Sequence, residues 1–465
     1  MKGVVLTGRA AFQEYPKFFR DPVACMRDIA VRHGPLVALA PKVFGKPERI
    51  QVLAVGPEFN RQVLGDPAAF RTTGQFMWGP KNSAQQRIRY GLTRMNGLKH
   101  KRQRSLVMPP FQKKALESYH KLIVDLAQEI IATWRSGQTY DMHREMRKLT
   151  LRISSSVLFG HELEDALRVS HLLESWTVRN FSAPVWVFPI DLPGTAYRRL
   201  LQTAGQVEAA ILSLIDKRRR GPGERNDVLS LLIAARDDEN RGMTDAELVG
   251  QATILFGASF ETTASSLTWT LLLLGQHPAV MHKLMDELDQ VLAGAVPTRE
   301  QLPQLPYLDC VIKESMRILP PVPFTIRAAS RDGAMGDLRV PKNSRVICSH
   351  YLTHHLPELY PEPERFLPER WRAIDPTQYE YFPFSAGPRA CIGAMFALQV
   401  LKISLSMMLQ RFRFTIVPAA RVDRVVRITM TPRHGLPMLI QENDRKFNAS
   451  KISGQIHEMV TFPES

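Results

Sequence analysis

Cys391 stands in the stretch FSAGPRACIGAMFALQVLKISLSMMLQRF, after a Gly/Pro-containing loop and directly before a strongly apolar helical run. A thiol placed there lies beside free amide donors at a helix start, which favour its anionic form and lower its pKa. Gly387 and Gly393 permit tight backbone geometry and the close approach of a flat ligand. Arg389, two residues before the thiol, can pair with a carboxylate. Taken alone, a cysteine before a helix is more often a buried hydrophobe than a reactive group. The other cysteines, Cys25, Cys310 and Cys348, are widely spaced and form no zinc pattern, so they read as inert buried thiols.

Three further constellations carry chemistry. The run Ala258-Ser259-Phe260-Glu261-Thr262-Thr263 sets an acid beside a hydroxyl inside an apolar helix, the pairing that proton delivery requires. A mid-helix Thr also commonly back-bonds to the preceding turn, bending the helix slightly. In KESMR, Glu314 and Arg317 are three apart and share a helical face, and PERF follows later with Arg365. In GLKHKRQR, His100 and Arg104 are four apart, again on one face.

Phe384, Gly387, Arg389, Cys391 and Gly393 fill every defining position of F-x-x-G-x-R-x-C-x-G. This resembles the haem-binding loop of the cytochrome P-450 family, and the other motifs occur in that family's order, from about Pro35 to the final strands. The resemblance implies haem b (iron protoporphyrin IX) ligated by the Cys391 thiolate, which favours O–O cleavage. It implies that Thr262 holds a water or oxygen, that Glu261 relays protons, and that His100, Arg104, Arg327 and Arg389 meet the haem propionates. Glu314, Arg317 and Arg365 resemble the family's Glu-Arg-Arg network, a structural brace behind the haem loop. Ser259 departs from the family's usual Gly, which bears on the shape of the oxygen groove.

With no flavin or iron–sulfur domain attached, electrons are expected to pass from NAD(P)H through separate proteins, a ferredoxin or flavodoxin with its reductase. The expected reaction is hydroxylation or epoxidation of a small apolar molecule, fatty-acid-like or terpenoid-like. Family mapping places substrate contacts at Trp78 beside Phe76 and Met77, at Phe188 with Trp186 and Pro189 as an entrance lid, at Ala258, at Val322, Phe324 and Thr325, and at Met430 with Thr431. Ordinary core packing explains such residues equally well. The alternative readings are a haem-thiolate peroxygenase, isomerase or dehydratase, against which the Glu261-Thr262 pair argues, and a non-enzymatic haem-binding protein.

The elements that must position these groups are legible in outline. Thr244 and Glu247 form a capping box that starts a helix running to about residue 276, where Gln276-His277-Pro278 ends it. From Gln112 to Gly137, apolar residues recur at helical spacing. PLVALA, RIQVLAVG, DLRV and SRVICSH read as short strands, as do FRFTIV, VVRITM and LPMLIQ near the end. The expected fold class is mainly α with a minor β part (α+β), built from both ends of the chain. The cytochrome P-450 fold adds a long central helix over the haem and a small mixed sheet near the N-terminus. One catalytic domain is expected over residues 1–465.

The 465 residues are 44% hydrophobic, ordinary for a globular protein, and carry a formal charge of +16. From Pro67 to Leu116 there is no Asp or Glu. That basic stretch, around residues 87–114, suits an acidic electron carrier, and nothing supports nucleic-acid binding. No segment reads as a membrane span or a signal peptide, so a cytoplasmic monomer is the expectation.

Overall fold

The computed structural model describes residues 2–41, 49–74, 76–160, 163–221 and 226–463. Its centre is the helix Asp245–Gln276, here the central helix. The capping box forms as expected: the Glu247 amide donates to Thr244 Oγ1 at 3.3 Å, and the Thr244 amide donates to the Glu247 carboxylate at 3.0 Å. The helix stops at His277, and Pro278 opens the next one, since proline needs no amide partner in a first turn. At 32 residues and 1.5 Å each, it is about 48 Å long. Leu271, Leu272, Leu273 and Leu274 are all buried. Successive residues point about 100° apart, so this half is enclosed on every side.

Helices pack around it. Met142–Phe159 packs along it most extensively, and Pro306–Ile318 and Ala394–Arg411 also touch it. The periodic stretch near residue 112 forms the helix Lys113–Ala132, which packs on Ala394–Arg411. Two helices near the start, Gly8–Arg20 and Pro22–His33, were not anticipated. The second opens on an Asp21 cap whose carboxylate accepts from the Ala24 amide, followed by Pro22.

The main sheet has six strands, in the order Val4–Thr7, Leu36–Ala40, Gln51–Ala54, Arg345–Ser349, Phe324–Ala329, Phe70–Arg71. Pairings are both parallel and antiparallel. The sheet is therefore mixed, but it joins strands from residues 4–71 to strands from residues 324–349. Antiparallel register sets Thr325 opposite Cys348 and Arg327 opposite Val346. VVRITM is not one strand: Arg424–Val426 and Met430–Pro432 form a hairpin. Among the described residues no helix is long and apolar enough to cross a membrane.

Candidate functional site: a thiol ringed by unpaired cations

Three of the four cysteines are buried, and Cys391 alone is exposed. Burial drives the thiols of Cys25 and Cys348 up to about 12, so neither is a reactive anion at neutral pH. At Cys391, burial of the sulfur among protein atoms also raises the pKa, while the Gly393 amide and the Arg104 guanidinium oppose that rise. The expected helix-start effect is present but outweighed, so the free thiol is not anionic by itself. A metal that displaces the thiol proton changes that balance.

The loop bearing Cys391 is tightly specified. Its amide donates to the Phe384 carbonyl at 2.8 Å. Gly387 has φ +68°, and a Cβ there would lie 2.4 Å from the Leu64 carbonyl oxygen, so no other residue fits. Gly393 caps the helix Ala394–Arg411, and a Cβ on it would meet nothing within 4 Å. Its backbone faces open space, as a flat ligand requires.

His100 and Arg104 come from the helix Gly97–Val107. Arg104 donates to the Ala390 carbonyl at 2.9 Å, tying that helix to the thiol loop. Arg389 donates to Asn96 Oδ1 at 2.9 Å, and its Nε is buried without a partner. Arg327 projects from the sheet strand Phe324–Ala329 and is buried. The His100 pKa falls to about 4, first through burial and then through Arg389, Arg104 and Arg327. All four groups are thus close enough to repel one another. Burial, followed by Arg327 and Arg104, brings Arg389 down to about 10. None of the three arginines has a carboxylate partner among the described residues. Unpaired buried charges are costly, and two carboxylates would relieve this cost. A thiol, a flat opening at Gly393 and a ring of cations suit haem with its two propionates.

Glu261 and Thr262 lie on the central helix. The Thr262 hydroxyl donates to the Ala258 carbonyl at 2.9 Å, Ser259 Oγ donates to the Phe256 carbonyl, and Ala258 itself is exposed. The Glu261 carboxylate pairs with Arg147 at 2.8 Å, a partner the sequence did not suggest. Arg147 is shared with Glu174 at 2.6 Å. Burial raises the Glu261 pKa, opposed first by Arg147, so the carboxyl is poised for proton exchange.

The ion-pair network corrects one expectation. Glu314 and Arg317 are fully buried and pair at 2.8 Å. The second arginine on Glu314 is Arg370, at 2.9 Å, and Trp371 Nε1 donates to the same carboxylate at 2.9 Å. Arg365 instead pairs with the exposed Glu362 and contributes only its carbonyl oxygen to Arg317. The sequence PERFLPERW contains two Pro-Glu-Arg tripeptides, and the turn Pro368–Arg372 aims the second one inward.

The expected substrate contacts differ in burial. Trp78 is 68% exposed and offers its carbonyl to the Tyr197 hydroxyl. Phe188 is 53% exposed and follows the short helix Ala183–Val187. Met430 is fully buried, its carbonyl accepting from Ser265 and Trp269, so its part is packing. Val322, Phe324 and Thr325 remain half-buried. Phe324 meets Phe18 at 5.5 Å between ring centroids, and Thr325 bonds His350 at 2.9 Å.

Part of the basic stretch is neutralised by acids from elsewhere in the chain. Arg87 pairs with Glu208, Arg102 with Asp237, and Lys99 with Glu247. Arg89 turns inward. Lys81, Lys101, Lys113 and Lys114 remain exposed.

A helical body around one long helix, with a thiol at the foot of a loop-helix junction, defines a haem-thiolate protein. The chain belongs to the cytochrome P-450 family, whose model matches residues 18–436. It is 32% identical to cyclooctat-9-en-7-ol 5-monooxygenase of Streptomyces melanosporofaciens, over 79% of this chain and 80% of that one. Cyclooctatin synthase of the same organism is 31% identical over 92% of each chain. Pentalenene oxygenase of Streptomyces avermitilis is 30% identical over 80% of this chain and 84% of that one. The solved structure of retinoic-acid-bound cyanobacterial CYP120A1 is similar with a TM-score of 0.78 at 25% identity, covering 91% of this chain and 95% of that one. The fold is that of the P-450s, the cofactor is haem, and the activity is that of a haem-thiolate monooxygenase supplied with electrons by redox partners.

Proposed function

We propose that this monooxygenase hydroxylates or epoxidises an apolar terpenoid-like molecule, working as one catalytic unit. The carrying observation is the exposed Cys391 thiol, on the loop that holds Arg389 and bonds Arg104, beside a group of His100, Arg104, Arg327 and Arg389 in which no arginine has a carboxylate partner among the described residues. Names of the relatives support the substrate class: three are oxygenases or synthases of cyclic terpenoids, and the similar solved structure was obtained with retinoic acid.

When bound, haem supplies dioxygen activation through a thiolate-ligated iron that favours O–O cleavage. Cys391 gives up its thiol proton and holds the iron. Arg104, Arg327 and Arg389 neutralise the propionates, with His100 as a hydrogen-bond donor. Glu261 exchanges a proton with solvent when its tie to Arg147 loosens, and the Thr262 hydroxyl passes the proton on. For that, Thr262 turns from the Ala258 carbonyl, a bond of ordinary strength costing about 1 kcal/mol. Val322 and Phe324 give the substrate apolar contact. Electrons arrive from a ferredoxin or flavodoxin that meets Lys101, Lys113 and Lys114. Lys101 shares its helix with Arg104, whose guanidinium reaches the thiol loop, and such docking weakens as salt rises.

Turnover with surrogate redox partners, set against peroxide-driven turnover, tests this reading. Reducing equivalents should support product formation far better than peroxide; the reverse preference assigns a peroxygenase. Thr262→Ala should keep the haem spectrum but release peroxide in place of most product. Full coupling in that variant removes the proton relay.

A further inference from the structure

Arg89 and Arg94 are cations the haem reading does not use. Arg89 is 8% exposed, and its Nε is buried without a partner, as is Nη1 of Arg94. Neither guanidinium has an ion pair or side-chain hydrogen bond among the described residues. The two side chains run together: a Cβ built on Gly74 would lie 3.3 Å from Arg89 Nη2 and 3.3 Å from Arg94 Cδ. Burial, reinforced by the neighbouring Arg94, brings the Arg89 pKa down to about 10. Two like charges, desolvated and side by side with no acid between them, destabilise the protein that holds them.

The repulsions within this pair and within the group near Cys391 have different sources. The repulsion on His100 and on Arg389 comes from Arg104 and Arg327, and the repulsion on Arg89 comes from Arg94. The two sets are neighbours in the fold, since the carbonyl of Met95, next to Arg94, accepts from Arg389.

Its place in the fold is fixed by two close approaches. A Cβ on Gly250 of the central helix would lie 2.5 Å from the Tyr90 carbonyl oxygen, and one on Gly91 would lie 2.5 Å from Ile254 Cγ2. The segment carrying both arginines is therefore pressed against the central helix at Ile254. Ile254 is one turn before the exposed Ala258, on the same helical face, and Ala258 is one turn before Thr262. Helix Ala196–Arg220 closes the third side.

We propose that Arg89 and Arg94 form an anion subsite that receives the carboxylate of an apolar acid substrate. The inference rests on the apolar-substrate reading above and narrows it to molecules with one anionic end. Two turns of helix, about 12 Å, separate Ile254 from Thr262. A long acid held by the pair would thus present to Thr262 carbons remote from its carboxylate.

Optical titration of the haem-loaded enzyme tests this, with retinoic acid, its methyl ester and retinol as probes, and fatty acids of graded length with their methyl esters. The acids should bind at least tenfold tighter than the matched esters. Arg89→Gln and Arg94→Gln should each erase that preference while leaving ester affinity unchanged, and Arg89→Lys should retain part of it. Acid-induced gain in Tm should vanish in the Gln variants, although their ligand-free Tm holds or rises because an unpaired buried charge is gone. Equal binding of acids and esters by the wild type overturns the inference alone. Loss of haem from the Gln variants, with normal haem retention in Arg104→Gln, assigns the pair to the propionates and also overturns it. Binding of none of the probes overturns the inference together with the apolar-substrate reading.

Discussion

Two buried charge clusters in this protein are built on opposite principles. Around Glu314, each positive group has its counterpart: Arg317 and Arg370 both reach the carboxylate, and Arg317 also donates to the carbonyls of His354 and Pro363 at 2.8 Å each. Around Cys391, Arg104, Arg327 and Arg389 face His100 with no acid among them. The first cluster is complete within the polypeptide, so it fixes the chain. The second is incomplete, and its desolvation cost is offset only by an anion from outside. Buried charge of the first kind marks structure, and buried charge of the second kind marks a binding site.

Substitutions separate the two kinds. Cys391→Ala has the largest effect: the reduced, CO-bound protein loses the thiolate-type absorption band, and monooxygenase turnover ceases. A retained band would assign the iron to another ligand. Glu314→Ala leaves two buried guanidiniums unpaired and should cost about 3–5 kcal/mol, read by chemical denaturation of protein with and without haem. Destabilisation in both forms is the mark of a structural cluster.

Arg389→Gln should behave in the opposite way. The haem-free protein keeps or gains stability because a repelling charge is removed. Haem dissociates faster, by roughly tenfold or more for a charge-assisted bond of about 1.5–3 kcal/mol. Equal destabilisation with and without haem would place Arg389 with the structural cluster. Arg365→Ala is the smallest change. Its exposed pair with Glu362 is worth less than about 1 kcal/mol, and a cost near that of Glu314→Ala would return Arg365 to the network in place of Arg370.

The limits of sequence reading show in the same residues. Cys391 was recognisable because the fixed positions of its loop lie within ten residues, even though two of them answer distant contacts, the Leu64 carbonyl that excludes a side chain at Gly387 and the Asn96 side chain that accepts from Arg389. The central helix was equally plain, since its cap and its end are written in adjacent residues. Arg365 and Arg370 end two identical Pro-Glu-Arg tripeptides, and only the path of the chain between them decides which one meets Glu314. Trp78, Phe188 and Met430 have apolar side chains suited to a substrate wall, yet two are at the surface and one is in the core. Hydrophobicity gives a preference for burial but not an address.

The basic stretch shows the sharpest division. Composition alone established that residues 67–116 carry cations and no acids, and that the chain holds one thiol in a haem-binding pattern. Folding decided what each cation does, by bringing Glu208 to Arg87 and Asp237 to Arg102 across more than a hundred residues, and by leaving Arg89, Arg94 and Arg104 without an acidic partner among the described residues. Local order follows from neighbouring residues, whereas the energy of a charge depends on what lies within a few ångströms of it. That neighbourhood is set by tertiary packing.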